Sequence, residues 1–362
     1  AVGFTFTADG SSNDRLYVTA SPAFAAGSLV ALTLAGTELP FTKNGTYTLL
    51  TYSGADPAVS GLACAAPAPG KTYAFAASAG AVTVTIGDGD AVWNTDADGA
   101  WSTAGNWTAA PVPGGPARFD DVITAPRTVT TAGQTASGLF FNNAIAYTLG
   151  GSGLTLSSGA TLAVEQGAHA VEAPLTLADN AAVTLAPGSA LTLGPLAGTT
   201  LTAQGNGTLT LAAAPALAAL ALDVPALNLG GSFTVACPVA LARTTTVAPT
   251  DNAAASLSGT LSGNAGLTKS GASTLTLSGL NTYSGVTRID NGTLAVPHLA
   301  SGGAPSAIGA AGGSAADLLI GPGTFRYTGP ATTVQRGLTL AAPQNRAAII
   351  RTDEGSDLTL IG

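Results

Sequence analysis

Short alternations of apolar and polar residues recur along this 362-residue chain. A period of two is typical of a β-strand that buries one face, so leucine is expected inside and threonine outside. Threonine is β-branched and favours strands, and its hydroxyl can solvate an outer face without a charge. The alternation Leu-Thr-Leu starts at Leu32, Leu154, Leu175, Leu191, Leu209, Leu275, Leu338 and Leu358, and close variants start at Val183 and Leu227.

The spacing of these alternations predicts a solenoid. From Leu154 through Leu227 the five starts at 154, 175, 191, 209 and 227 are separated by 21, 16, 18 and 18 residues, so each coil can add a strand to a stacked parallel sheet. No segment carries apolar residues at i, i+3 and i+4 with charged flanks, which excludes a coiled coil or a helical repeat. The Ala-rich segment 211–222 could form a short helix, but Pro215 and the flanking leucines favour another coil.

The first 87 residues have a different pattern. Short alternating segments, such as 4–6 and 47–52, are separated by turn signals that include Asn44-Gly45. They predict either a small sandwich-like domain or the closing coils of a preceding solenoid.

Composition narrows the class of protein. The chain has 47 glycines and 21 prolines, and only 9% of its residues are charged, whereas globular proteins average about 25%. It is nevertheless too apolar to be disordered. A surface solvated by threonine and serine suits long, β-rich extracellular proteins.

The charge pattern argues against two classes of partner. The 12 basic residues form no cluster and are outnumbered by 20 acidic ones, so neither nucleic acid nor an anionic membrane surface is expected to bind. The longest apolar run, 211–222, is too short to span a bilayer. With no methionine and no leader-like start, the sequence indicates a mature chain or an internal fragment. Cys64 and Cys237 are expected to be two buried thiols, although an oxidising compartment would permit a disulfide.

Residues 266–296 read GLTKSGASTLTLSGLNTYSGVTRIDNGTLAV. This segment closely resembles the autotransporter-associated β-strand repeat, also called the passenger-associated transport repeat. Val286 departs from the family pattern, which usually has a second glycine there. The resemblance implies a large secreted or surface-exposed bacterial protein with a right-handed parallel β-helix. The matching positions are 266–269, 271, 274–279, 281–285 and 292–294.

The stretch WNTDADGAWSTAGNW, residues 93–107, contains all three tryptophans. The spacing of Trp93, Trp101 and Trp107 resembles the opening of modules in giant repeat proteins of the same kind. A Pro-rich turn at 111–116 and the acidic segment 119–121 then follow, and 138–156 resembles a first coil. Because large rings can cover an exposed core and its strand edges, we expect the stretch to open a module and cap the β-helix.

Three segments are therefore predicted. Residues 1–87 form a β-rich domain or the end of a preceding module. Residues 88–137 form a Trp-rich opening or capping segment. Residues 138–362 form the parallel β-helix that contains the repeat.

The acidic residues beside the tryptophans suggest calcium. Residues 94–99, NTDADG, resemble the start of a calcium loop. The bidentate acid of an EF-hand would fall on Gly105, which excludes that motif. Asp96 and Asp98 could still form a looser site with Asp88 and Asp90, but a polar turn between two strands is the favoured interpretation. No metal or cofactor ligand is assigned.

Two other segments superficially resemble reactive sites. Residues 65–72, AAPAPGKT, end like a phosphate-binding loop, but the first glycine is missing and Pro67 and Pro69 remove N–H groups. Glu165, His169 and Glu172 could transfer protons, yet a solvated turn between coils is the favoured interpretation.

No catalytic residue is assigned and enzymatic activity is not expected. His298 lies far from His169 along the chain, and no Ser/His/Asp order, HExxH or CxxC motif occurs. Adjacent coils could in principle carry a polysaccharide lyase or hydrolase site. However, no coil after residue 138 has clustered acids with basic partners.

We expect an extracellular structural or adhesive protein of the bacterial cell surface. It would assemble by repetition into a fibre or sheath, through self-association or through tandem copies end to end. The alternative is a carbohydrate-binding or carbohydrate-active surface β-helix with cell-surface glycans as partners. Sugar sites usually expose aromatic rings beside acids, and the tryptophans lie where a module joint is expected.

Overall fold

The computed structural model describes residues 2–7, 11–25, 27–35, 41, 43, 45–65, 71–88, 91–108, 115–250 and 252–361. The chain divides into two compact units. The N-terminal unit comprises Ala1–Val92 and Trp107–Pro116, and the solenoid unit comprises Trp93–Asn106 and Ala117–Gly362.

The first eight strands belong to the N-terminal unit. They are β1 Val2–Phe6, β2 Leu16–Val18, β3 Leu29–Leu34, β4 Gly45–Tyr52, β5 Ala63–Cys64, β6 Lys71–Ser78, β7 Ala81–Asp88 and β8 Ala91–Val92.

The solenoid unit contains a 3-10 helix at Ala104–Asn106 and a long series of strands. The strands are β9 Gly99–Ala100, β10 Pro116–Phe119, β11 Arg127–Thr131, β12 Gln134–Asn142, β13 Tyr147–Gly151, β14 Leu154–Gln166, β15 Ala168–Val171, β16 Leu175–Leu177, β17 Ala181–Leu185, β18 Ala190–Leu193, β19 Leu196–Gly205, β20 Thr208–Leu211, β21 Ala216–Asp223, β22 Ala226–Leu229, β23 Thr234–Val235, β24 Val239–Leu241, β25 Thr245–Pro249, β26 Ala254–Leu257, β27 Leu261–Ser262, β28 Leu267–Lys269, β29 Thr274–Leu277, β30 Thr287–Ile289, β31 Thr293–Val296, β32 Leu318–Ile320, β33 Thr324–Tyr327, β34 Thr332–Gln335, β35 Thr339–Leu340, β36 Ile349–Thr352 and β37 Leu358–Ile361.

The N-terminal unit combines parallel and antiparallel pairing. Strands β1, β3 and β5 form a parallel sheet. In the second sheet β2 pairs parallel with β4, whereas β4, β7 and β6 pair antiparallel. The loop Ala79-Gly80 closes the β6–β7 hairpin with φ of 52° and 75°, the positive values that a two-residue type I′ turn requires. Phe6 stacks on Phe41 in the core, with ring centroids 4.3 Å apart.

The solenoid unit stacks its coils into parallel sheets. The first sheet runs β10-β12-β14-β19-β21-β24-β27, with β16 and β17 both bridging β14 and β19. The second runs β9-β11-β13-β15-β18-β20-β22-β25-β28-β30-β32-β35, and the third runs β23-β26-β29-β31-β33-β36. The predicted all-β class and parallel solenoid are confirmed, with about 11 turns. Parallel pairing already includes β9 and β11, ahead of residue 138.

Inward leucines form continuous columns because the register repeats from coil to coil. One column of the first sheet is fully buried, and each buried CH₂ contributes about 0.8 kcal/mol. No coil has a core of its own, so stability comes from stacking. The segment 211–222 forms the end of β20 and most of β21, so it is part of a coil, as predicted, and not a helix. The column consists of Leu139, Leu162, Val183, Ala203, Leu222 and Leu241.

The last two Leu-Thr-Leu alternations depart from the expected burial. Leu340 is 59% exposed, and Leu358 and Leu360 are only half-buried. Strands β35 and β37 are the terminal members of their sheets, so no further described strand covers their apolar side chains. Ile349 and Ile350 of β36 are exposed for the same reason.

Glycine is required at positions where consecutive coils approach closely. Gly205 and Gly263 have φ of +111° and +117°, and a Cβ at either position would lie 2.1 Å from a carbonyl oxygen of the previous coil. Only glycine accepts both conditions without strain. In the described part of the chain, no helix is long and apolar enough to cross a membrane.

Candidate functional site

The outer face of the second sheet carries a column of small uncharged side chains, which we call the outer threonine column. Its members face away from the leucine core, and all except the exposed first one are half-buried. Strands in a sheet lie about 4.8 Å apart, so the side chains repeat at that interval. The column consists of Thr128, Thr148, Ala170, Thr192, Thr210, Asn228 and Ala248.

A second column beside it extends this uncharged surface. It contains only alanine and threonine until Arg288, which forms an ion pair with Asp290. A surface of hydroxyl and methyl groups can offer hydrogen bonds and dispersion contacts with little Coulombic attraction. Binding to it should therefore depend weakly on salt. The second column consists of Ala168, Ala190, Thr208, Ala226, Thr246 and Thr268.

The tryptophans are core residues of their respective units. Trp93 and Trp101 of the solenoid unit are 0% and 3% exposed, and Trp107 of the N-terminal unit is 4% exposed. The indole N–H of Trp93 donates to the carbonyl of Thr95 at 2.8 Å. Buried rings do not present a platform for sugar. That the stretch opens a module and caps the β-helix stays a prediction.

Trp101 packs in a tilted arrangement against the first of a series of stacked rings inside the solenoid. Its ring lies 5.9 Å from that of Phe119, and Phe119 stacks on Phe141 at 5.0 Å. Phe141 in turn stacks on the imidazole of His169 at 4.8 Å. The series crosses successive coils, so it links the Trp stretch to the first coils of the solenoid core.

The carboxylates of Asp96 and Asp98 already have protein partners. Asp96 accepts hydrogen bonds from the N–H and hydroxyl of Thr124 and pairs with Arg127 at 2.9 Å. These contacts lower the pKa of Asp96 to about 2. Asp98 accepts from the N–H of Thr128 at 2.8 Å. Both acids therefore tie the stretch to the following coil, as in the polar-turn interpretation.

The side chains of the other two acids in the looser calcium site lie outside the described part of the structure. Asp90 lies outside the described residues, as do Pro67 and Pro69 of the phosphate-loop-like segment, and only the backbone of Asp88 is described. Among the described side chains, no three His, Cys, Asp or Glu residues are grouped so as to hold a metal ion.

The prediction of a solvated turn at His169 is wrong. His169 lies in β15 and is 3% exposed, whereas Glu165 and Glu172 point to solvent. Its Nδ1 accepts from the N–H of Tyr147 at 3.0 Å, and its Nε2 lies 2.9 Å from the carbonyl of Gln166. The imidazole thus satisfies backbone groups of neighbouring coils instead of pairing with an acid.

Burial makes His169 a source of acid sensitivity. Burial lowers the pKa of His169 from its ordinary value of 6.5, although its backbone hydrogen bonds oppose this. The unfolded state therefore binds a proton more readily than the folded state. Stability from this residue is complete above about pH 6.5 and is lost as pH falls towards the folded pKa.

We expect the free energy of unfolding of the wild-type chain to fall between pH 7.5 and pH 5 more than that of His169→Gln. Urea unfolding at both values measures the difference, at about 1.4 kcal/mol per unit of pKa shift. Thr155→Gln, at a half-buried outward position of the first sheet, is the control and should follow the wild type. Equal pH dependence in all three proteins would contradict the role given to His169.

The repeat segment contains buried polar residues whose roles the sequence did not reveal. Lys269 is fully buried, and its Nζ donates to the carbonyls of Ser270, Gly271 and Asn291 at 2.5, 2.7 and 3.0 Å. Burial lowers its pKa to about 8. In the register it stands between Val247 and Ile289, which are buried inward residues of the second sheet. The sequence signal that could have indicated this buried lysine is its position, because Lys269 takes an inward position of the alternation where leucine is expected.

Asn281 and Tyr283 close the corner of the same repeat. The side chain of Asn281 accepts from the N–H of Leu261 at 2.8 Å and donates to the carbonyl of Ala307 at 2.6 Å. The hydroxyl groups of Tyr283 and Thr287 are 2.6 Å apart in the core. The repeat residues therefore support the coils on either side, which is an architectural role.

The two cysteines are both thiols, Cys237 buried and Cys64 half-buried. They belong to different units. Burial raises the pKa of the Cys237 thiol, which disfavours the reactive thiolate.

Comparison with known proteins agrees with the repeat found in the sequence. Residues 267–296 match the family described as Passenger-associated-transport-repeat. The chain thus carries a repeat of that family within a parallel solenoid, and the resemblance is confirmed.

A relative is similar over a longer stretch of the chain. Over 100 residues the chain is 44% identical to the Adhesin BmaC autotransporter of Brucella suis biovar 1 (strain 1330). The alignment covers 28% of this chain and only 3% of that protein. No solved structure matches. The repeat and the relative support an extracellular or cell-surface location.

Proposed function

We propose that this chain is a structural and adhesive segment of a bacterial surface protein. The solenoid acts as a spacer, and its outer threonine column contacts the partner surface. The observation that carries this proposal is the uncharged column itself, which runs across seven paired strands above a continuous leucine core. The role is mechanical and non-enzymatic.

The relative supports this proposal at a coarse level. That protein is named an adhesin, and the present chain spans about 3% of its length. We therefore propose adhesion for this segment alone. We also propose that it assembles with tandem coils of a longer chain.

Assembly into a fibre or sheath is the finer part of the proposal. Leu340, Ile349, Ile350 and Ile361 expose apolar surface on terminal strands of their sheets, and such edges can pair with a further strand from another copy. Sedimentation velocity and negative-stain microscopy at micromolar concentration should reveal filaments. A strictly monomeric chain would contradict fibre assembly and leave adhesion to be tested separately.

Adhesion is tested by charging the proposed surface without disturbing the core. Beads coated with the chain are counted on cultured epithelial cells and on polystyrene. The triple variant Thr148→Glu, Thr192→Glu and Thr210→Glu should lose most of the attachment, because burying unpaired carboxylates in a contact is costly. Both surfaces are measured at two salt concentrations.

A matched control places the same charges on another face. Thr155, Thr161 and Thr202 face outward from the first sheet and are equally half-buried, so their triple Glu variant should still attach. Equal loss in both triples, or wild-type beads that attach no better than albumin-coated beads, would contradict the proposal. Attachment abolished by periodate oxidation of the cells would instead favour the carbohydrate-binding alternative.

A further inference from the structure

A cavity of about 390 Å³ lies within the N-terminal unit. It is bounded by side chains from both sheets of that unit, including Phe4, Leu50 and Val82, and by the segment that leads from β2 into β3. Its volume falls within the range of about 300–1,000 Å³ that is usual for ligand sites.

The lining determines which chemistry the cavity accepts. Its described side chains are apolar apart from Ser28, and the hydroxyl of Ser28 already donates to the carbonyl of Ala25 at 2.8 Å. No charged side chain is among them. A charged or hydroxyl-rich ligand would lose its hydration there without gaining hydrogen bonds. Apolar cavities smaller than this one stay dry and take up hydrocarbons.

Exposed apolar side chains mark the mouth of the cavity. Leu16 and Leu29 line it, yet they are 47% and 46% exposed. Large apolar side chains that gather at an opening indicate a binding site more strongly than scattered ones.

We infer that this cavity binds an aliphatic chain, with the polar end of the ligand left in solvent at the mouth beside Leu16 and Leu29. The source of the chain is either a free alkyl compound or a lipid acyl group, since both present the same hydrocarbon. The inference does not use the adhesive role of the solenoid, so either can fail without the other.

Calorimetric titration of the whole chain with 1-decanol tests the inference. One saturable site per chain is expected. Val82→Phe fills the cavity from β7 and should weaken binding by roughly tenfold or more, because the added ring displaces buried methylenes of the ligand. Ala23→Trp, on the exposed side of the lining, is a second filling variant that does not alter the buried core.

The control and a second probe make the outcome decisive. Leu280→Phe, at a 62% exposed position of the solenoid unit, should bind 1-decanol like the wild type. Absence of saturable binding by the wild type, or unchanged affinity in a folded filling variant, would overturn the inference. Flotation with phosphatidylcholine vesicles then identifies the source: binding that the filling variants lose indicates an acyl group, and absence of binding indicates a free alkyl compound.

Discussion

Replacing Leu275 with aspartate is expected to lower the free energy of unfolding of the solenoid by about 4 kcal/mol or more. Leu275 is fully buried and stands in register with Ala255 below it and Leu294 above it. A carboxylate at this position would lose its hydration in an apolar core, and that loss is costly. Because coils depend on their neighbours, the loss should spread to the adjacent coils.

Hydrogen exchange resolves this effect better than a single melting curve, since a stack of coils need not unfold in one step. Amides of β26, β29 and β31 should lose protection, while those of β12 and β14 keep theirs. Thr276→Asp is the matched control, because Thr276 faces outward on the same strand. If the two variants lost equal protection, the inward direction assigned to Leu275 would be wrong.

Trp101→Ala should destabilise the start of the solenoid by about 3 kcal/mol or more. The ring is 3% exposed and packs against Phe119, which belongs to the stacked series leading to His169. Removing it leaves a cavity at the base of that series. Urea unfolding followed by far-UV circular dichroism measures the change.

An exposed aromatic residue provides the comparison. Tyr17→Ala, at a position 69% exposed, should change stability by less than about 0.5 kcal/mol. If Trp101→Ala were equally mild but removed binding to a sugar or another ligand, the tryptophan would have a binding role and the architectural interpretation would fail.

The alternation of leucine and threonine predicted the strands, their parallel stacking and, except at the last two alternations, their buried side. A period of two determines which side chains face the core. Repeats of similar length place equivalent strands of successive coils side by side in the same direction, which gives parallel pairing. What the alternation could not predict is which residues stand above one another. The starts are 21, 16, 18 and 18 residues apart, and β14 pairs with both β16 and β17, so the outer columns emerge only from the register.

His169 shows why local composition misled. Its neighbours Glu165, Gln166 and Gly167 are typical of a solvated turn, but its partners Asn143 and Tyr147 come from the previous coil. A buried polar residue becomes favourable only when distant backbone groups are placed to bond with it. The cavity of the N-terminal unit was equally hidden, because it depends on how parallel and antiparallel sheets meet in that unit.

The parallel ladders determine how the solenoid would respond to tension. Their hydrogen bonds run from coil to coil, along the stacking direction, so a pull along that direction would load the outermost rung first. Paired residues of consecutive coils lie 18 to 22 residues apart between Thr128 and Ala248. Such coils would then detach one after another, each releasing roughly 60–75 Å of chain at ~3.4 Å per residue. A tether built this way would lengthen in small steps under shear and dissipate work at each step, which limits the peak force at its point of attachment.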